Sequence, residues 1–285
     1  MLEHTPSRAG DALFKAALWL TAALVVGACG LILLDLLWRG GPAINWSFLT
    51  EAPRNAGRDG GIAPILWSTL LILAVALATS LPLGLACAVW LTEYLPAGSR
   101  RGRVVRVSLD ALAGIPSIVF GLFGHAFFCV TLGLGFSILS GGLTLACMVL
   151  PIFIRTSEAG LSALGDDWRR QGAALGMTRA SVLLHVLLPA AMPAITAGAM
   201  LGVGRASAET AALIFTSGYV DRWPDSLGDS GRALAVHIYD LSMNVTGGDA
   251  AAYGSALVLM TLIALINAVT MGLSMQWVRH KDHRT

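Results

Sequence analysis

One polar stretch between two apolar runs decides the fold: Arg170-Gln171-Gly172-Ala173-Ala174-Leu175-Gly176, followed after nine residues by Val186-Leu187-Leu188-Pro189. The first part is too polar to cross a membrane and has the length of a short helix. Gly176 is suited to end that helix, because glycine adopts the left-handed backbone conformation of a C-cap without steric cost. The stretch therefore predicts a docking helix for a cytoplasmic partner, with an ordinary interfacial helix as the alternative.

The flanking runs are apolar enough to be membrane spans. Of the 285 residues, 55% are hydrophobic and 13% are charged, about half the charge of an average soluble domain. A run of about 20 apolar residues crosses a hydrocarbon core of about 30 Å. The sequence predicts an all-α, multi-pass membrane protein with six transmembrane helices, near Ala16–Trp38, Ile65–Leu91, Val107–Leu132, Ile138–Ile154, Ala190–Phe215 and Ala251–Trp277.

The distribution of Lys and Arg predicts the orientation, since cytoplasmic loops carry an excess of both. The N-terminal segment, the segments after spans two and four, and the C-terminal tail together hold 13, whereas the alternate segments hold 5. Both termini are therefore predicted to be cytoplasmic. We divide the chain into a first helix with its outer loop (1–62), a core (63–278) with a cytoplasmic segment (155–189), and a tail (279–285).

A charged pair lies inside the fifth predicted span. An unpaired charge in the bilayer costs at least ~2.5–3.5 kcal/mol and commonly marks a substrate pathway. Glu209 follows Arg205 by four residues, so on a continuous helix the two side chains would meet. The functional interpretation is that Arg205 offers a planar set of donors to an oxyanion while Glu209 orients it. The alternative is a buried pair with a structural role only.

Pro116 and Ser117 interrupt the third predicted span. Proline removes a backbone donor and frees a carbonyl, which protein or water must satisfy inside a membrane. A helix broken here could aim the N-terminus of its second half at an anion. A simple kink is the alternative.

The sequence resembles the phosphate-import permeases (PstA family) of ABC importers over roughly residues 60 to 275. The spacing from Gly176 to Leu188 and Pro189 is that of the EAA loop, which couples such permeases to their ATPases, although Arg170, Gln171 and Gly172 replace its Glu-Ala-Ala. Further similar segments are 60–66, 82–84, 91–94, 114–123, 150–156 and 235–239. The family's Arg-x-x-Gly-Glu-Thr-Ala-Pro-x-x-x-Thr is matched at Arg205, Glu209, Thr210, Ala211 and Thr216, with Ala208 and Ala212 in place of its Gly and Pro.

This resemblance implies the type I ABC importer permease (MetI-like) fold in a bacterial inner membrane. It implies a phosphate pathway at Arg205, Glu209, Thr210, Pro116 and Ser117, and ATPase contacts at 170–176, Leu188 and Pro189. The implied partners are a homologous permease, an ATPase dimer and a periplasmic phosphate-binding protein. Cofactors are expected only on the ATPase, as ATP and Mg²⁺. The acidic outer loop 216–250, with His237 and Tyr239, is a candidate docking surface for the binding protein, or else an ordinary solvated loop.

Other functions remain possible at this point. The chain could import another oxyanion or a phosphonate, or could be an ion-coupled secondary transporter that needs no ATPase. An enzyme acting on lipid phosphates would need a metal or acid–base cluster, and the histidines form no such motif. Neither lysine follows a glycine as in a P-loop, so the chain is not predicted to be its own ATPase or any other enzyme. The net charge of +2 gives no reason to expect a nucleic-acid partner.

Overall fold

A computed structural model describes residues 8–96 and 98–282, so that parts of the predicted segments 1–62 and 279–285 lie outside the described residues. The long helices are α1 (Arg8–Gly40), α3 (Ala63–Val89), α6 (Ile138–Ala163), α9 (Leu188–Ser207) and α12 (Asp249–Asp282). The shorter ones are α2 (Trp46–Thr50), α4 (Arg100–Ala113), α5 (Ser117–Gly124), α7 (Asp166–Ala174), α8 (Arg179–Val182), α10 (Ala211–Ile214) and α11 (Leu234–Met243).

Irregular turns extend or connect these helices. Single π-helical turns cover Trp90–Tyr94, His125–Thr131 and Leu183–Leu187, and 3₁₀ turns cover Gly41–Ala43 and Asn55–Gly57. A two-residue antiparallel ladder joins β1 (Pro53–Arg54) to β2 (Asp59–Gly60) in the first outer loop. Among the described residues five helices are long and apolar enough to cross a membrane, and the bent pair of α4 with α5 raises the number to six if it is one span.

The core is built around α6, which packs between α3 and α9. Glycines allow the close approach: a Cβ at Gly142 would lie 2.5 Å from Cβ of Val75 on α3, and one at Gly202 on α9 would lie 2.7 Å from Cγ1 of Val149. Small residues at helix crossings bring backbones together where no hydrophobic effect drives association in lipid. The result is one apolar cluster that includes Ile72, Leu145, Val149 and Phe153.

The predicted boundary of span four is wrong. The helix continues past Ile154 to Ala163, so 155–189 is not one cytoplasmic loop. Only 164–178 separates α6 from the next long helix, because α8, the π turn and α9 form one continuous helix over Arg179–Ser207. Helix α6 continues through its charged residues because their charges are paired. Buried Glu158 accepts hydrogen bonds from Arg106 and Arg155.

The third predicted span, Val107–Leu132, is not one helix. It consists of α4 and α5 with its π turn, which are bent by 102° at Gly114–Pro116. Gly114 N–H bonds to Ala111 O (3.1 Å) and Ile115 N–H to Leu112 O (3.2 Å). These turns close α4, and Pro116, which lacks an N–H, stands as the N-cap of α5. The break is therefore much sharper than a kink.

The segment between α10 and α12, which the sequence predicts to be an outer loop, has a defined fold. Arg232, whose side chain is 12% exposed, lies 3.4 Å from Asp240 and 4.0 Å from Asp221, and its Nε donates to Tyr219 O (2.9 Å). His237 in α11 is fully buried, so the prediction that it lies on a docking surface is wrong. Tyr239 is 44% exposed and stays available for one.

Candidate functional site

The predicted pair of Arg205 and Glu209 is not formed. Arg205 lies in the last turn of α9 with an exposed side chain, and α9 ends at Ser207 with Ala208 as its C-cap. The chain then turns, so that the buried carboxylate of Glu209 accepts the N–H of Ala212 (3.1 Å) at the start of α10. Within the described part of the chain no carboxylate lies within ion-pair distance of Arg205. The prediction failed because the four-residue spacing brings side chains together only on an unbroken helix.

This arrangement gives the two side chains different tasks. Glu209 satisfies a backbone donor that the start of α10 would otherwise leave orphaned. Arg205 keeps its five N–H donors and its charge for another group. Thr210, which follows Glu209, is half-buried, and its carbonyl accepts the N–H of Ile214 (3.1 Å).

The break at Pro116 lies on a helix that packs against this region. A Cβ at Gly121 in α5 would lie 2.8 Å from Cα of Ala212, so α5 and α10 touch backbone to backbone. Ile115 and Ala206, the neighbours of Pro116 and Arg205, belong to one apolar cluster. The two groups of predicted pathway residues therefore sit on adjacent elements, with Pro116 exposed and Ser117 half-buried.

The predicted docking helix is confirmed as a helix with a glycine cap. Gly176 has φ +74°, its N–H bonds to Ala173 O, and Met177 N–H bonds to Gly172 O, each at 3.0 Å. Arg170, Gln171, Ala173, Ala174 and Leu175 are exposed on α7. Gly172 alone of this stretch is buried, since a Cβ there would lie 2.5 Å from Cγ2 of Val182. Leu188 and Pro189 are half-buried and belong to the continuous helix that follows, and their contact with an ATPase stays a prediction.

An ion pair that local sequence patterns do not reveal fixes α7. Arg169 donates to both carboxylate oxygens of Glu93, which ends the helix of span two, and Arg169 Nη1 also donates to Leu164 O (2.8 Å). The hydrogen bonds that Arg169 donates to Glu93 raise the pKa of its guanidinium, against the opposite effect of burial. The partners are 76 residues apart, so no spacing rule links them. A cavity of about 340 Å³ opens beside the pair, lined also by Tyr94, Met177 and Arg179.

A second network holds α4 against the lower part of α6. Arg106 Nε lies 2.5 Å from Glu158, Arg155 Nη1 lies 3.0 Å from the same carboxylate, and Arg155 Nε lies 3.1 Å from Asp110. The partners are far apart in sequence, since 52 residues separate Arg106 from Glu158, so no local spacing predicts the network.

The chain matches one protein family over most of its length. The binding-protein-dependent transport system inner membrane component family matches residues 80–278. The chain belongs to this family. It is accordingly a permease subunit of an ABC importer, an inner-membrane protein that works with a second permease, an ATPase and a binding protein and is not itself an enzyme.

Two curated relatives refine the comparison. The chain is 29% identical over 86% of its length to a protein named probable ABC transporter permease YqgI of Bacillus subtilis, covering 87% of that protein. It is 34% identical over 73% of its length to phosphate transport system permease protein PstA 1 of Mycobacterium tuberculosis, covering 68% of it. The predicted resemblance to PstA permeases is confirmed.

Solved structures share the fold. An inward-facing methionine ABC transporter, MetNI, aligns with 74% of this chain and 93% of its own at a TM-score of 0.60 and 20% identity. A bacterial ABC transporter that imports the acidic polysaccharide alginate aligns with 93% of this chain and 96% of its own at 0.64 and 14% identity. The MetI-like permease fold is thus confirmed, and at these identities the structures carry no information on the substrate.

Proposed function

We propose that this chain is the PstA-like permease of an ATP-driven phosphate importer, with Arg205 as its anion-binding group. The observation that carries the proposal is the exposed guanidinium of Arg205, which Glu209 does not neutralise. A planar guanidinium binds tetrahedral oxyanions through paired, charge-assisted hydrogen bonds. The relatives named as phosphate permeases support phosphate as that anion.

The remaining pathway residues lie on elements next to the one that carries this charge. Thr210 contributes a hydroxyl next to the turn, and the N-terminus of α5, which begins at Ser117 after Pro116, contributes backbone N–H groups with a favourable dipole. No hydroxyl hydrogen bond of Ser117 is found in the described part of the protein, so its hydroxyl is available to a passing anion. A broken helix that lines an anion route fits the general pattern of transport proteins.

The proposed complex pairs this chain with a homologous permease and an ATPase dimer that carries ATP and Mg²⁺. Both termini face the cytoplasm in this proposal, as the Lys and Arg distribution predicts. The ATPase docks on the exposed face of α7, and a periplasmic phosphate-binding protein docks on the outer loop, where Trp223 and Tyr239 are exposed.

Uptake of radiolabelled phosphate tests the proposal in cells that lack their high-affinity system and express the full complex. Arg205→Ala should abolish uptake while the complex still assembles, and Arg205→Lys should recover little, since an ammonium lacks the planar fork. Arg222→Ala, which removes an exposed outer-loop arginine, is the matched control. Normal uptake in Arg205→Ala would exclude Arg205 from the pathway.

Competition distinguishes the substrates. Unlabelled arsenate, sulfate and a phosphonate are added in excess to the wild-type complex. Among these competitors, arsenate alone is expected to inhibit the uptake of labelled phosphate. Inhibition by the phosphonate or by sulfate instead would mean that the same pathway carries another oxyanion. Uptake without the ATPase would favour a secondary transporter.

A further inference from the structure

Helix α4 does not continue into the helix that follows it and is too short to cross a membrane alone. Its 14 residues are about 21 Å long, too short for a hydrocarbon core of about 30 Å, and the helix is bent by 102° from α5. One side is fixed to the protein by buried Gly102 and Leu109 and by the pair of Arg106 with Glu158. The helix is therefore held in place without being enclosed.

The opposite side of α4 carries an apolar stripe after its first residue, Arg100, and this stripe has no partner in the described structure. Arg100, Val104, Val107 and Ala111 recur at intervals of four, three and four residues, so they share one helix face. Val104 is 65% exposed and Val107 is 62% exposed. Their positions are fixed by the burial of Gly102 and Leu109 on the other side, so the apolar face must meet lipid or another protein.

Basic side chains gather at the N-terminal end of the same helix. Arg100, Arg101 and Arg103 are exposed, and across the described residues none of the three has an ion-pair partner. This differs from Arg106 on the same helix, whose charge is matched by Glu158. Three unmatched cations beside an apolar face match the chemistry of an anionic lipid surface.

The level of α4 in the membrane follows from the helix before it. The last turn of span two carries Trp90 and Tyr94, which are 39% and 57% exposed. Trp and Tyr collect at the headgroup level of a bilayer. Since only 95–99 separate Tyr94 from the first residue of α4, the helix begins close to that level.

We propose that α4 is an interfacial helix that binds anionic phospholipids of the leaflet it faces. Val104 and Val107 enter the acyl boundary, and Arg100, Arg101 and Arg103 bind the phosphate groups of the lipids. The proposal depends only on the chain being embedded in a membrane, and it stands whichever anion the importer carries.

The position of the apolar face is tested with spin labels in the whole complex, reconstituted in nanodiscs after Cys29, Cys87, Cys129 and Cys147 are replaced by Ser. A label at Val104→Cys should collide more with oxygen than with a water-soluble nickel complex. The control is Ser162→Cys, at the exposed lower end of α6, which should show the reverse. A water-accessible label at Val104, or one immobilised against a partner subunit, would overturn the proposal.

The charge of the lipid is tested in nanodiscs of phosphatidylcholine and phosphatidylglycerol at 3:1, with mass spectrometry of the lipids retained on the purified complex. The wild-type complex should retain phosphatidylglycerol above its bulk share. The combined variant Arg100→Gln, Arg101→Gln and Arg103→Gln should lower the retained share towards the bulk share of one quarter, a fall of up to about fourfold, since each arginine near an anionic surface adds to the attraction. Arg54→Gln with Arg222→Gln, on the outer loops, is the control, and equal retention in the two variants would refute anionic lipid binding by α4.

Discussion

Arg169 donates two hydrogen bonds to the carboxylate of Glu93, from Nε to Oε2 at 3.0 Å and from Nη2 to Oε1 at 2.5 Å. The pair joins α7 to the end of the second span. Arg169 is 26% exposed and Glu93 is 14% exposed, so water screens the pair only in part. We therefore expect a displacement of α7 to move the end of the second span with it.

The first prediction concerns this ion pair between Arg169 and Glu93. Glu93→Ala leaves the half-buried guanidinium of Arg169 without its counter-charge, which should lower the free energy of unfolding by about 2 kcal/mol. Phosphate uptake should fall more than ATP hydrolysis, because α7 loses its attachment to α3. Thermal unfolding of the detergent-solubilised complex and parallel uptake and ATPase assays measure both effects.

A variant in which Glu93 and Arg169 exchange their charges provides the control for this ion pair. Glu93→Arg combined with Arg169→Glu should restore part of the stability that either single change removes. Asp167→Asn breaks an exposed pair with Arg170 and should cost less than about 0.5 kcal/mol. If Glu93→Ala costs no more stability than Asp167→Asn, the ion pair of Arg169 with Glu93 does not hold α7 in place and its proposed role in coupling is wrong.

The second prediction concerns Gly176, whose φ of +74° lies in the left-handed region. No atom lies within 4 Å of a Cβ built there, so backbone conformation and not space limits the residue. Gly176→Val should cost about 1–2 kcal/mol and reduce the amount of ATPase that co-purifies with the permease. Gly176→Asn should lose less, because asparagine tolerates this conformation.

Gly165→Val is the matched control, since a Cβ at Gly165 also meets open space and its φ is −58°. It should retain the ATPase. Equal losses in the Val and Asn variants of Gly176 would mean that the conformation of the cap is not what the ATPase interface requires.

The third prediction separates Glu209 as a cap from Glu209 as a counter-ion. Glu209→Gln keeps an oxygen acceptor for the N–H of Ala212, so stability and uptake should stay close to those of the wild type. Glu209→Ala removes the acceptor and should cost about 1 kcal/mol. Thermal unfolding and phosphate uptake check both variants. A large loss of uptake in Glu209→Gln with unchanged stability would show that its charge acts on the anion.

The fourth prediction is a pH dependence that arises from His237. Its ring is fully buried beneath Gly57, and Nδ1 lies 3.4 Å from Nη1 of Arg232. Burial, followed by the charge of Arg232 and against that of Asp240, lowers the pKa of His237 to about 4. The folded protein therefore holds the neutral ring where the unfolded chain would already be protonated.

The difference between the folded and unfolded pKa of His237 sets the direction in which stability changes with pH. Above the unfolded pKa of about 6.5 the stability is unaffected, and it falls as the pH drops from about 6.5 towards 4, by up to about 3 kcal/mol. Unfolding temperatures of the solubilised complex at pH 7.5 and pH 5 measure the loss. His237→Gln cannot titrate and should show a smaller difference between the two pH values. The same difference in both proteins would mean that other groups cause it.

Much of the architecture could be predicted from local pattern. Apolar runs located the spans near α1, α3 and α12, and the glycine cap located the end of α7, because each depends on residues close in sequence. Span four was predicted too short because its lower end is charged. The charges of Arg155 and Glu158 are paired in the continuing helix, both with each other and with Asp110 and Arg106 on α4.

The candidate site likewise has features that the sequence determines and features that only the tertiary structure decides. The sequence by itself determined that the chain is a membrane protein of the permease class and that Arg205 and Glu209 stand four residues apart, since composition, charge distribution and motif spacing are properties of the chain. Only the tertiary structure decided that Glu209 caps α10 while Arg205 stays free, that α4 turns by 102° from α5, and that Arg169 meets Glu93. Helix ends and contacts between distant residues depend on which surfaces pack together, and local sequence does not contain that information.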